Sequence, residues 1–408
     1  MFKRNLSSYL ACFAFTIIIS VNICYGQPSD IASEKVQIIS LIEAGKLAEA
    51  DAAIAGIMDL PDSNEKGQAL QEIAGAYQQS GQFDKAIELC DYIRKNWPKE
   101  NFAIWAKMSL VLSQLGKGDI NAANETTNSI VNDYTSSPNF VWVLSIVADG
   151  YCERRMNDNA YELRQIGIRK SPESIWGREM EILVLLNQGA YSISQKRLNS
   201  LTEDFNQNPN LSEVVFRAGQ EFCWKRKYSE AKGVFDRIQN ISDSSFKQRA
   251  NLWSVAANTC ALIRQNKDEE AALALSAMIK DFEKEDILPE VVYRSAQEFE
   301  WTKGEVAAMS NQYNKSLSIY QQVLQSFSGS KYAKMSQEDC TRLKYRIDIL
   351  SAIEKDDETE ANAAIDKMSA EYAGRPELES ELYWLEGWCK DNQKLAMADN
   401  INKRRTQK

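Results

Sequence analysis

The residues best suited to chemistry fall in three matching sets: Trp142, Ser145, Asp149 and Glu153; Glu213, Phe216, Gln220 and Trp224; Glu290, Tyr293, Gln297 and Trp301. The members of each set are three or four residues apart, so on a helix they share one face. Aromatic rings interleaved with amides and carboxylates can stack on sugars or hold an extended peptide. The candidate binding residues are therefore Trp142, Asp149, Phe216, Gln220, Trp224, Tyr293, Gln297 and Trp301. The competing use of Trp224 and Trp301 is packing between neighbouring helices, where aromatic residues at helical spacing generally sit.

Covalent and metal chemistry find little support. The 408 residues include no histidine, which removes Ser–His and Cys–His nucleophile pairs, His-based zinc sites and covalent haem attachment. No glycine-rich phosphate loop of either common type occurs. Ser328–Lys331 and Ser244–Lys247 match S-x-x-K, but the S-D-N and K-T-G elements that accompany it in serine acyl-enzymes are missing. Carboxylates are abundant, and Glu221, Glu298 and Glu300 stand in the most conspicuous context. Solvated faces of acidic helices account for them. The expectation is a protein with no catalytic residue, no metal and no cofactor.

The elements that must position these side chains are helical throughout. Only 18 Gly and 8 Pro occur, and Ala, Leu, Glu, Gln and Lys fill the body of the chain. A buried-face alanine, taken as anchor, recurs at Ala50, Ala86, Ala123, Ala160 and Ala231, with Ser194 at the equivalent place. The spacing is 34 to 37 residues. The clearest unit is Leu70–Pro98, which reads as a helix, a turn at Gly81 and a second helix closed by proline. A longer period relates Trp105, Trp176 and Trp253, and likewise Asp133-Tyr134, Asp204-Phe205 and Asp281-Phe282. Val214–Trp224 and Val291–Trp301 are near copies.

Leu70, Ile73, Ala74, Tyr77, Gly81, Phe83, Ala86 and Pro98 fall on tetratricopeptide-repeat positions, and Ala218, Gly219, Phe222, Tyr228, Ala231, Phe235 and Ile238 match again. The chain thus resembles the tetratricopeptide-repeat superfamily, and Ser316–Phe327 and Met368–Pro376 are similar to units of its bacterial envelope members. The resemblance implies an all-α fold, a right-handed α-solenoid of antiparallel helix pairs whose first helices line a concave groove. It also implies a non-enzymatic scaffold that binds a protein or peptide partner in that groove. The alternative is a receptor for glycans or small ligands built on the same helices. The Lys/Asn clamp of some family members is absent, since Gln71, Gly75, Ser145, Asp149, Phe216 and Gln220 stand at its positions.

The expected organisation is a signal peptide at 1–26, a short lead at 27–32, a continuous solenoid of about nine helix pairs over 33–395, and a polar, basic tail at 396–408. Within the solenoid, Lys303–Ser310 reads as an insertion between two helices. Lys3 and Arg4 ahead of the apolar run Tyr9–Ile23, then Cys24-Tyr25-Gly26, have the layout of a cleaved secretory signal. The protein is expected in the periplasm or otherwise outside the cytoplasm, touching a membrane only through an uncleaved signal or a partner. Without residues 1–26, 46 Lys and Arg oppose 57 Asp and Glu. That surface repels nucleic acid. The remaining cysteines, Cys90, Cys152, Cys223, Cys260, Cys340 and Cys389, are expected to be mostly packing thiols.

Overall fold

The computed structural model describes residues 30–241, 246–300 and 306–406, and the segment expected to be a signal, like Trp301, lies outside them. Every regular element among the described residues is an α-helix. They divide into two compact units, one up to Gln248 and the other from Arg249 onward.

The first unit holds α1 (Asp30–Glu43), α2 (Leu47–Asp59), α3 (Asn64–Gln79), α4 (Phe83–Asn96), α5 (Ala103–Lys117), α6 (Ile120–Asp133), α7 (Phe140–Glu153), α8 (Asn157–Lys170), α9 (Ile175–Asn187), α10 (Tyr191–Asp204), α11 (Leu211–Trp224) and α12 (Tyr228–Ile238). Consecutive helices pack as hairpins, and from α1 to α11 each odd-numbered helix also packs on the next odd-numbered one. The second helices instead pack on their own partner, and α4, α8 and α10 also on the following first helix. The first helices therefore form the inside of the curve within this unit.

One backbone device makes each hairpin. The turn residue takes a left-handed conformation at Gly45, Gly81, Gly118, Arg155, Gly189 and Arg226. The next amide reaches back to a carbonyl five residues earlier, as from Gln82 to Tyr77 at 2.8 Å and from Lys227 to Phe222 at 2.9 Å. This bond closes a Schellman turn and satisfies helix-end carbonyls that would otherwise be orphaned. Five residues beyond each turn lies the anchor, and Ala50, Ala86, Ala123, Ala160, Ser194 and Ala231 are all at most 1% exposed. A small side chain there lets the second helix close onto the first, and a larger one would force the pair apart.

The second unit holds α13 (Lys247–Arg264), α14 (Asp268–Asp281), α15 (Leu288–Glu300), α16 (Val306–Ser326), α17 (Lys331–Glu354), α18 (Glu358–Glu371), α19 (Pro376–Asp391) and α20 (Leu395–Thr406). The same left-handed turn recurs at Asn266, Asp356 and Gln393, and the buried alanines Ala271, Ala361 and Ala398 follow five residues later. These anchors carry the repeat beyond Ala231, where sequence spacing alone did not follow it. The stretch expected as an insertion, Lys303–Ser310, is helical from Val306 and lengthens α16. The segment expected as a tail is helix as far as Thr406. Met397, Ala398 and Ile401 are buried, and Arg404 pairs with Asp366 at 2.6 Å and Arg405 with Glu386 at 3.0 Å. Three apolar contacts and two ion pairs thus dock a sequence that looks polar throughout.

Candidate functional site

In the first unit, Trp142 stands in the middle of an aromatic ladder. It enters from α7 and lies edge-on to Trp105 of α5 (6.5 Å, 75°) and Trp176 of α9 (6.3 Å, 61°). All three rings are half-buried. Each lies eighteen residues before its anchor, so one repeat position projects them along one line of the inner layer. Glu213 of α11 holds the same position in the next pair, and Trp142 Nε1 donates to its Oε1 at 3.5 Å. Trp105 and Trp176 were read from the sequence only as markers of a long period. The anchor count that places Trp142 on this face places them beside it.

Beneath the ladder lies a buried ion cluster that joins α7, α8, α9 and α11. Arg217 is its centre and is fully buried. Its Nη2 donates to Ser145 Oγ (2.8 Å) and Asp149 Oδ2 (2.5 Å), and its Nη1 lies 2.8 Å from Glu179 Oε1. Arg164 donates to the other oxygen of Asp149 at 2.7 Å. Ser145 donates to Glu179 at 3.0 Å. Burial pushes the Glu179 carboxyl up to about 7, against the pull of Arg217, and the neighbouring charges of Asp149 and Glu213 add to the rise. Burial likewise raises Glu213. Burial opposes charge on Arg217 and Arg164 too, but Glu179 and Asp149 outweigh it at Arg217, and Cys152 and Asp149 at Arg164, so both stay protonated. Asp149 is thus placed as the shared acceptor of two arginines, and its face of α7 is locked to three neighbouring helices.

The other candidates of this unit occupy different surroundings. Phe216 is buried among Phe235 (5.6 Å) and Phe246 (5.3 Å) as a core ring, because its position on α11 points at the second helix and the chain beyond it. Gln220 is buried one turn further along, and its Oε1 accepts no hydrogen bond. Trp224 closes α11 half-buried. The structure therefore brings Trp142 and Asp149 together with Glu213, and sets Phe216 into the core.

In the second unit, Tyr293 donates to Asp339 Oδ2 at 2.6 Å and accepts from Gln297 Nε2 at 3.1 Å. Its ring packs against Tyr320 (5.3 Å) and Tyr332 (5.6 Å). Glu300 lies alongside, buried and bound by Arg342 at 2.8 Å and Arg346 at 3.2 Å. Burial pushes its carboxyl up, but the two guanidinium groups outweigh this and hold it below the ordinary value. Arg346 continues to Glu381 at 2.7 Å and lies 4.2 Å over the Trp384 ring. Of the other carboxylates singled out by sequence, Glu221 lies 3.5 Å from Lys225 and Glu298 2.8 Å from Arg264. All three, Glu300 included, are buried ion-pair partners and do not lie on solvated helix faces as the sequence suggested, because cationic side chains beside them offset the cost of burial.

Among the described residues, no group of three or more Cys, Asp or Glu side chains is arranged to hold a metal ion. No described helix is long and apolar enough to cross a membrane. All six cysteines among the described residues are buried, and burial pushes the thiols of Cys340 and Cys389 up to about 11 and that of Cys260 up to about 12. These thiols are poor nucleophiles at neutral pH.

No protein-family model matches the chain, and no curated protein matches it in sequence. Solved structures do resemble it. A tetratricopeptide repeat protein from Parabacteroides merdae is 13% identical over 65% of this chain and 98% of its own, with a TM-score of 0.40. The C-terminal part of a TPR repeat-containing protein from Cytophaga hutchinsonii is 12% identical over 64% of this chain and 99% of its own, at 0.29. Yeast Tom70 is 13% identical over 92% of this chain and 98% of its own, at 0.22. The fold assignment rests on the chain's own turns, anchors and hairpins: it is an all-α repeat protein of tetratricopeptide-like fold.

Proposed function

We propose that the chain is a non-enzymatic scaffold that holds a protein or peptide partner against the inner layer of first helices. The observation that carries this reading is the ladder of Trp105, Trp142 and Trp176, three half-buried rings at one repeat position. Large aromatic side chains left partly open on a rigid surface are typical anchors for a partner. The ion cluster below fixes α7 and α9, so Trp142 and Trp176 are presented without the entropy cost of ordering those helices on binding. The glycan alternative requires a flat, open ring face. Trp142 instead has a tilted ring on either side, which favours a peptide. On the composition of residues 1–26, the reading places the chain outside the cytoplasm.

The test is a crosslinking pull-down from cells of the natural host, with the full chain and with Trp105→Ala/Trp142→Ala/Trp176→Ala. The expected result is a defined protein partner that the triple variant no longer retains. A partner retained by the variant, or no protein partner alongside positive binding on a sugar array, would overturn the proposal.

A further inference from the structure

Away from the inner layer, a cleft of about 810 Å³ opens where the end of α4 and its following loop meet the end of α6 and its loop. That volume falls within the usual range for small-molecule sites. One wall is accounted for by the fold. Lys107 bridges Ser129 and Asp133 (3.1 Å to Asp133) and lies 4.7 Å over the Tyr134 ring. The same clasp recurs with Arg178, Ser200, Asp204 and Phe205, at 3.0 Å to Ser200, 2.6 Å to Asp204 and 5.5 Å to the ring. This repetition explains the Asp–aromatic pairs seen in the sequence, so the clasp needs no ligand.

The opposite wall is a set of cations that the fold does not use in this way. Arg94 lies 3.3 Å from Asp91, yet its buried Nε donates to nothing, and its charge reaches Tyr134 across the cleft. Lys99 has no ion-pair or hydrogen-bond partner among the described residues, and the nearby Glu100 accepts from Asn64 instead. Counting from the anchors, α8 repeats α4. Pro98 then corresponds to Pro172 and Lys95 to Arg169, but Arg94 corresponds to Ile168 and Lys99 to Glu173. A cation at Lys95 suits the negative end of the helix dipole, and its recurrence as Arg169 is explained by that. Lys99 lies past the helix end, and the other copy carries the opposite charge there. The clasp is common to both copies, whereas this pair of cations is particular to the cleft. Asn101, Ser136 and Ser137 add neutral hydrogen-bonding groups to its lining.

We propose that this cleft binds a small organic anion, with its charged group between Arg94 and Lys99 and its polar frame against Asn101, Ser136 and Ser137. The proposal is independent of the inner-layer reading.

The test is calorimetric titration of the full chain with citrate, pyrophosphate and glucuronate, and with glucose as the uncharged probe. The variant Arg94→Ile/Lys99→Glu installs the residues of the other copy and is therefore suited to the fold. Lys99→Ala serves in its place if melting shows the double variant unfolded. At least one anion is expected to bind and glucose not to. The variant should weaken binding about tenfold or more through loss of two close charges, while Arg169→Glu on α8 changes it less than about twofold. Three outcomes would each overturn the proposal: no heat from any anion at millimolar concentration, an affinity unchanged in the variant, or an equal loss in Arg169→Glu.

Discussion

Replacing Glu179 with Gln should remove a specific part of the protein's pH dependence. In the fold, burial raises the Glu179 carboxyl from an ordinary 4.5 to about 7. The native state therefore holds this proton more tightly than the unfolded chain. The stability so contributed is fully present below about pH 4.5 and is lost as pH rises through 7. At about 1.36 kcal/mol per pH unit, the difference amounts to about 3 kcal/mol between the two limits. Gln keeps a carbonyl for the Ser145 hydroxyl, now 3.0 Å from Glu179, but cannot ionise. Arg217 retains Asp149 at 2.5 Å. Urea unfolding of parent and variant at several pH values from 5 to 8 measures the change, with hydrogen exchange in α9 as a local readout. The stability gap between the two proteins should change by about 2.5 kcal/mol across that range, moving in favour of the variant as pH rises. A gap that stays constant would show that Glu179 is not the buried proton acceptor described, and the electrostatic account of the cluster would fail.

Further outcomes follow from the same geometry. Arg217→Met should cost about 3–5 kcal/mol at pH 8, because Asp149 and Glu179 lose their buried partner, and adding Glu179→Gln should return part of it; denaturant midpoints of the single and double variants decide this. Trp142→Ala should cost about 3 kcal/mol, since it removes a large ring and two edge-on contacts; a thermal melt measures it, and no change would mean the ladder is not packed. Gln393→Gly should stabilise the protein by up to about 1 kcal/mol, because Gln393 is exposed at φ 61° where glycine has no Cβ penalty; a lower melting temperature would count against the turn geometry.

Much of the architecture was legible because it rests on local signals. Gly45, Gly81, Gly118 and Gly189 announce left-handed turns, and the small anchors keep their spacing. Arg155, Arg226, Asn266, Asp356 and Gln393 take the same conformation without such a signal, and past Ala231 no turn on the anchor series carries a glycine, so there the series was read only through the longer period. At those turns the backbone bond of the Schellman motif, as from Lys267 to Leu262 and from Asp357 to Ala352, holds a conformation the side chain itself does not favour. The inner face was legible in part. Anchor counting put Trp142 and Asp149 on it, but periodicity cannot tell a ring that lines a face from one that enters the core, and Phe216 is the second kind. The ion cluster was out of reach, because it joins Asp149 to Arg164 fifteen residues away and Ser145 to Arg217 seventy-two residues away. Only folding brings those charges within bonding distance.

The most direct measurement is site-specific photo-crosslinking in the natural host, with a photoreactive phenylalanine analogue placed singly at Trp105, Trp142, Trp176 and, as reference, Ile193. Ile193 is 53% exposed on α10, a second helix, so it samples a different surface of the same unit. The expected result is one defined protein adduct at the three ladder positions and none at Ile193. Adducts of equal yield at Ile193, or no protein adduct at any ladder position in a correctly folded protein, would contradict the claim that the inner layer holds a partner.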